Sequence, residues 1–119
     1  MTDAAKPKDE AALKRYREVL LKFGHFTDYI QWKPLPERWL GTNIPNVTAK
    51  LVHELMVKHA ASDADIDQIS ETRPEYSHWR FHYDLRISIL GRRVYIETRF
   101  DQEQDDEDCT IWVVNIHDT

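Results

Sequence analysis

Between residues 80 and 99 the chain sets chemically capable side chains at every second position: Arg80, His82, Asp84 and Arg86, then Arg93, Tyr95, Glu97 and Arg99. Asn115 and His117 repeat the spacing further on. Guanidinium groups, a phenol and an imidazole on one rigid surface suit metal-free cleavage of an RNA phosphodiester. One group takes the 2′-hydroxyl proton, another returns a proton to the leaving oxygen, and guanidinium holds the crowded phosphate. Tyr95, His117 and Glu97 are therefore the candidate catalytic residues. Arg86, Arg93, Arg99, His82 and Asn115 are the candidates for holding substrate. Glu97 is the weaker base of the set, because a carboxylate beside Arg86 titrates low, whereas an imidazole titrates near neutral pH. The bland reading of the same residues is a solvated charge ladder.

Other motifs carry less. In "HELMVKH" the second histidine, His59, comes six residues after His53. The two point to different helix faces, so no zinc pair forms, and His53 is expected to face solvent. In "HWRFH" His78 and His82 stand too far apart along a strand to share a metal. The acidic stretch "DQEQDDEDCTIW" lacks the glycine and the bidentate glutamate of a calcium loop. Cys109 has no neighbouring base in sequence, and no Gly-rich phosphate loop is present. No cofactor and no metal are expected.

The residues that would do chemistry need a sheet beneath them. Phe81, Tyr83, Leu85, Ile87 and Ile89 alternate with the polar set, and Trp79 extends the pattern backwards, which predicts a half-buried strand. A hairpin turn at Gly91-Arg92 would place Ile89 against Val94, Arg86 against Glu97 and Asp84 against Arg99. A third strand, "CTIWVVNIH", is expected to turn Trp112, Val114 and Ile116 to the apolar face and Ile111 and Val113 to the other. It would bring His117 near Arg93 and Asn115 near Tyr95.

Two helices precede the strands. Leu13, Tyr16, Leu20 and Phe23 form one stripe, with Asp9 as N-cap and Gly24 at the C′ position. The second helix spans Val47–Ala60. Ser62 and Asp65 resemble a capping box for a short helical turn carrying Ile66 and Ile69. Residues 25–45, with Pro34, Pro36, Gly41 and Pro45, read as a connection pinned by Trp32, Leu35, Trp39 and Leu40. The predicted fold is α+β, with N-terminal helices packed on a three- to four-stranded antiparallel sheet. Residues 1–8 form a flexible tail and residues 9–119 one domain.

Composition sets outer limits. At 119 residues with 31% charged, the chain suits one soluble domain. Its net charge is −5, but residues 101–108 hold six of the 21 acids, and the remaining 15 nearly balance 16 bases. That distribution leaves room for RNA but gives no basic footprint for DNA. One cysteine and no apolar run of membrane length point to a cytoplasmic protein.

Helices followed by a twisted sheet, with a Trp-led strand, the stretch "GRRVYIET" and a last strand ending at His117, resemble the RelE-like bacterial toxins that cut mRNA, the MqsR branch in particular. The resemblance covers Trp79 to His117. It implies a functional tyrosine at Tyr95 and an antitoxin protein as partner. Arg80 stands where the family has a glutamine, and Asn115 or His117 lies in the region of its last lysine. The expected function is a toxin-type, metal-independent endoribonuclease. The alternative is a non-catalytic protein-interaction module.

Overall fold

The computed structural model describes residues 8–101 and 107–119. The expected tail over residues 1–8 and the acidic loop over residues 101–108 fall mostly outside them.

Helix α1 (Glu10–Phe23) begins at Asp9, whose carboxylate accepts the Ala12 N–H at 3.0 Å. Its stripe buries Tyr16, Val19 and Leu20. Gly24 ends the helix in the right-handed region, φ −63°, and not in a left-handed cap. Glycine is required there for space: a Cβ would overlap the Leu20 carbonyl oxygen and Val57 Cγ2.

The segment read as a connection is structured. It holds a 3₁₀ turn (Thr27–Tyr29), strand β1 (Ile30–Trp32) and helix α2 (Pro34–Asn43). Pro34 and Pro36 both fall in the first helical turn, where backbone N–H groups have no intrahelical partner, so they start the helix and do not interrupt it. Leu40 is buried and Trp32 and Trp39 pack against the core, whereas Leu35 is 72% exposed and anchors nothing. Helix α3 (Ala49–Ala61) starts from Thr48, whose hydroxyl accepts the Leu51 N–H. Arg17 of α1 donates to the Ala60 and Ala64 carbonyls at 3.1 and 2.6 Å, satisfying the end of α3.

The turn expected at Ile66 is a strand, β2 (Ile66–Ser70). A tertiary contact selects it. The Gln68 side-chain amide clamps the Asp9 backbone, accepting its N–H at 2.7 Å and donating to its carbonyl at 2.9 Å. Strands β3 (Phe81–Ile89), β4 (Arg92–Asp101) and β5 (Thr110–Asp118) complete a sheet of order β1-β5-β4-β3-β2. β1 runs parallel to β5 and every other pair is antiparallel. The α+β class holds, and among the described residues the sheet has five strands and is mixed, where three or four antiparallel strands were expected. Tyr16, Leu20, Leu40, Val52 and Met56 share one core with Leu85, Ile87, Val94, Ile96, Ile111 and Val113, so α1, α2 and α3 cover the same sheet face. Tyr16 stacks on Tyr83, ring centroids 4.3 Å apart. Its hydroxyl meets Thr98 Oγ1 at 2.7 Å, and Thr98 in turn donates to the Tyr83 carbonyl.

Two local features fix what the other face carries. The hairpin turns at Leu90-Gly91, with φ of 52° and 78°, the type I′ signature, one residue earlier than expected. Ile89 therefore pairs with Arg92, Ile87 with Val94, Arg86 with Tyr95 and Asp84 with Glu97. The expected Arg86–Glu97 and Asp84–Arg99 pairs do not form, although each residue keeps its face because the shift is even. Between β4 and β5 the register slips: Glu97 pairs with Asn115 but Thr98 with Val113, leaving Val114 as the extra residue of a bulge. The bulge reverses parity. Ile111 and Val113 join Ile116 in the core, and Trp112 lies on the outer face, the reverse of the alternation expected from sequence.

Candidate active site

The outer face is built from register rows. One row runs Asp67, Asp84, Glu97, Asn115 across β2 to β5; the next runs Arg86, Tyr95, His117 across β3 to β5. Three carboxylates side by side would repel one another. Each has its own counter-group. Asp67 takes Arg86 Nη1 at 2.5 Å. Asp84 meets His82 Nδ1 at 2.7 Å with one oxygen and accepts the Tyr95 hydroxyl at 2.8 Å with the other. Glu97 binds Arg99 Nη1 at 2.7 Å and also Arg73.

The last pair is closed over by the chain between β2 and β3. Glu71 accepts Arg73 Nε at 3.0 Å and lies 2.5 Å from Arg99 Nη2. Tyr76 sets its ring 4.7 Å from the Arg99 guanidinium and 5.1 Å from that of Arg73. Arg99 is wholly buried, so it stabilises this cluster and cannot reach a ligand. Burial pushes the Glu97 carboxyl up, but hydrogen bonds from Arg73 and Arg99 outweigh it and hold the group below the usual carboxylate range. Glu71 is lowered in the same way, by Arg73 and then Arg99 working against burial. Glu97 is thus a poor base, as its chemistry beside an arginine implied, although Arg99 and Arg73 play the part expected of Arg86.

Glu71, His82 and Glu97 bring potential metal-ligand atoms within 4.8 Å of one another. Two guanidiniums already sit on the two carboxylates, and a dication would have to enter against both positive charges. The residues fit an ion-pair cluster better than a metal centre.

The other half of the face is open. His117 stacks on Tyr95 with centroids 4.6 Å apart and planes at 24°. The Arg86 guanidinium lies 5.2 Å from the Tyr95 ring centre. His117 Nδ1 is 2.8 Å from the Asp118 carbonyl oxygen, which can only accept, so Nδ1 carries a proton, and in the neutral ring the lone pair is on Nε2. Burial, then the hydrogen bond to Asp84, raises the Tyr95 phenol above its ordinary range. Arg93 and Asn115 are exposed alongside.

Arg86, Tyr95 and His117 therefore meet in one row, with Arg93 and Asn115 as neighbours. His82 joins them through Asp84. Glu97 and Arg99 lie under the cover. Glu71, Arg73 and Tyr76 were invisible in sequence, because "ETRPEY" has no periodicity that assigns it to a sheet face. His53, expected in solvent, is buried and accepts the Trp32 indole N–H at 2.7 Å. Burial lowers its pKa to about 4. Among the described residues no helix is long and apolar enough to cross a membrane. Compared with protein-family models, curated proteins and solved structures, the chain matches none.

Proposed function

We propose that this chain is a toxin-type, metal-independent endoribonuclease working from the open half of its outer sheet face. One observation carries the reading: Arg86, Tyr95 and His117 stand in a single register row with their planar groups in contact. In this scheme the His117 Nε2 lone pair takes the proton from the 2′-hydroxyl. Tyr95, kept protonated by its surroundings, returns a proton to the 5′-oxygen; a phenol, even one raised above its usual range, is still acidic toward an alkoxide. Asp84 and His82 form the chain through which Tyr95 is reprotonated. Arg93 meets the phosphate first, and Arg86 joins it by leaving Asp67. Glu97 takes no proton in this scheme. A cytoplasmic setting and an antitoxin-like partner belong to the same proposal.

The test is cleavage of a fluorophore-quencher RNA by the purified chain in excess EDTA. His117→Ala and Tyr95→Phe should each lower the rate by roughly 10²–10⁴-fold while the unfolding midpoint stays within a few degrees. Cleavage that survives both substitutions, or no cleavage at all, overturns the assignment. Cleavage that EDTA abolishes would move the chemistry to Glu71, His82 and Glu97.

The second reading, a non-catalytic interaction module, is favoured by the hydrogen bonding of the whole Asp67–Asp84–Glu97 row, each carboxylate being held by a neighbouring side chain without needing turnover.

A further inference from the structure

Trp112 lies on the outer sheet face with the candidate site, half-buried and outside the core cluster. The register fixes its place. Along β4 and β5 the rows run Tyr95–His117, Glu97–Asn115 and Arg99–Trp112, so Trp112 stands two rows, roughly 13 Å, from the Tyr95–His117 stack. The Lys33 ammonium lies over its ring, 4.3 Å from the centre. Lys33 is exposed and has no ion-pair partner among the described residues, so this contact opens at little cost. Arg93, at the other end of the same line, is likewise exposed and without an ion pair among the described residues. Between the two ends stands the exposed amide of Asn115. The next row beyond Trp112 pairs Asp101 with Thr110 and brings a carboxylate and no ring, so the line ends at Trp112.

We propose that Trp112 and Lys33 form a subsite for single-stranded RNA, on which the base two nucleotides 5′ of the cleaved one stacks. The subsite belongs to the RNA reading of the Arg86–Tyr95–His117 row and rests on it. Polarity follows from the roles in that row. His117 on β5 takes the proton of the 2′-hydroxyl, which belongs to the nucleotide on the 5′ side of the cut. Tyr95 on β4 serves the leaving 5′-oxygen of the nucleotide on the 3′ side. Trp112 shares β5 with His117 and so meets the 5′ part of the strand. Three rows then receive three successive nucleotides: the cleaved one at His117, the next at Asn115, whose amide can both donate to and accept from a base edge, and the third at Trp112. A base arriving there replaces the Lys33 ammonium on the ring, and the displaced ammonium reaches the adjoining phosphate. Lysine alone would bind any polyanion; the ring is what selects an unpaired base. A duplex keeps its bases stacked on one another and offers Trp112 no free base face.

Its test needs no cleavage, so the subsite and the nuclease fail separately. A tetranucleotide of 2′-O-methyl adenosines, which has no free 2′-hydroxyl to attack, is titrated into the full chain labelled with 5-fluorotryptophan. The four ¹⁹F signals are assigned by single Trp→Phe variants. The Trp112 signal should shift, while those of Trp32 and Trp39 stay in place. A nitroxide on the 5′ end should broaden the Trp112 signal more than one on the 3′ end. Trp112→Ala should weaken binding roughly 5–100-fold, and Trp112→Phe much less. Lys33→Glu changes an exposed side chain, so it should weaken binding several-fold with the unfolding midpoint unchanged, which keeps the test decisive even where Trp112→Ala does not fold. A Trp112 shift in a chain that cuts no RNA supports the subsite and sinks the nuclease. No Trp112 shift at millimolar tetranucleotide, an equal shift with tripolyphosphate or with an RNA hairpin duplex, or stronger broadening from the 3′ end overturns the subsite, even where cleavage is seen.

Discussion

His53 receives the indole N–H of Trp32 on one ring nitrogen and has no partner for the other, so protonating it would break the only hydrogen bond it has. Its pKa is lowered from 6.5 to about 4 in the folded chain. Between those values the unfolded chain takes up a proton that the folded one refuses. Stability is therefore greatest above the ordinary histidine range and falls as pH drops toward 4, by up to roughly 3 kcal/mol. Glu71 and Glu97 act further down. Their lowered pKa values contribute stability above the carboxylate range that is lost as pH falls through the folded values. Urea midpoints at about pH 7.5 and about pH 4.5 should differ in wild type, and His53→Gln should flatten most of that difference; an unchanged slope would contradict the burial argument. Residues such as Tyr95 and His117 could be placed on a face from sequence because strand parity survives a register error. His53 could not, since a histidine on an amphipathic helix looks equally at home on either side until its tryptophan partner is known.

Elements were legible where one period ran unbroken. The alternation of β3 and the stripes of α1 and α3 are of that kind. The rest was hidden for identifiable reasons. Two prolines suggested a loop where they start α2; Gln68 broke the alternation of β2 with a polar residue that is buried for a tertiary hydrogen bond; the Val114 bulge switched faces halfway along β5. The hairpin was misplaced because leucine is a poor marker of a left-handed position. Leu90 holds φ at 52° and is 72% exposed, so its side chain gains little from the fold to offset the strain. Leu90→Asn supplies the residue a type I′ turn prefers and should raise stability by about 0.5–1 kcal/mol. Equilibrium denaturation is the measurement, and a loss of stability would place the turn elsewhere.

For the molecule as a whole, the outer face divides into a sealed half and an open half, and Arg99 is the fastening of the sealed one. Arg99→Met should destabilise the domain by about 3–5 kcal/mol, because Glu71 and Glu97 would remain buried with less compensation. Arg73→Met, at a side chain 43% exposed, should cost about 1 kcal/mol or less. Thermal unfolding of the two variants side by side checks the contrast, and near-equal losses would mean that the cluster is solvated. The same division leaves Arg86 and His117 exposed while Glu97 and Arg99 are covered.

Ile30 lies beside Ile111, so the edge strand β1 is completed by a strand far along the chain. During synthesis β1 must wait, unpaired, until β5 has left the ribosome. Such distant pairing slows assembly and leaves a sticky ribbon exposed on the nascent chain, a stage at which chaperones would have something to hold.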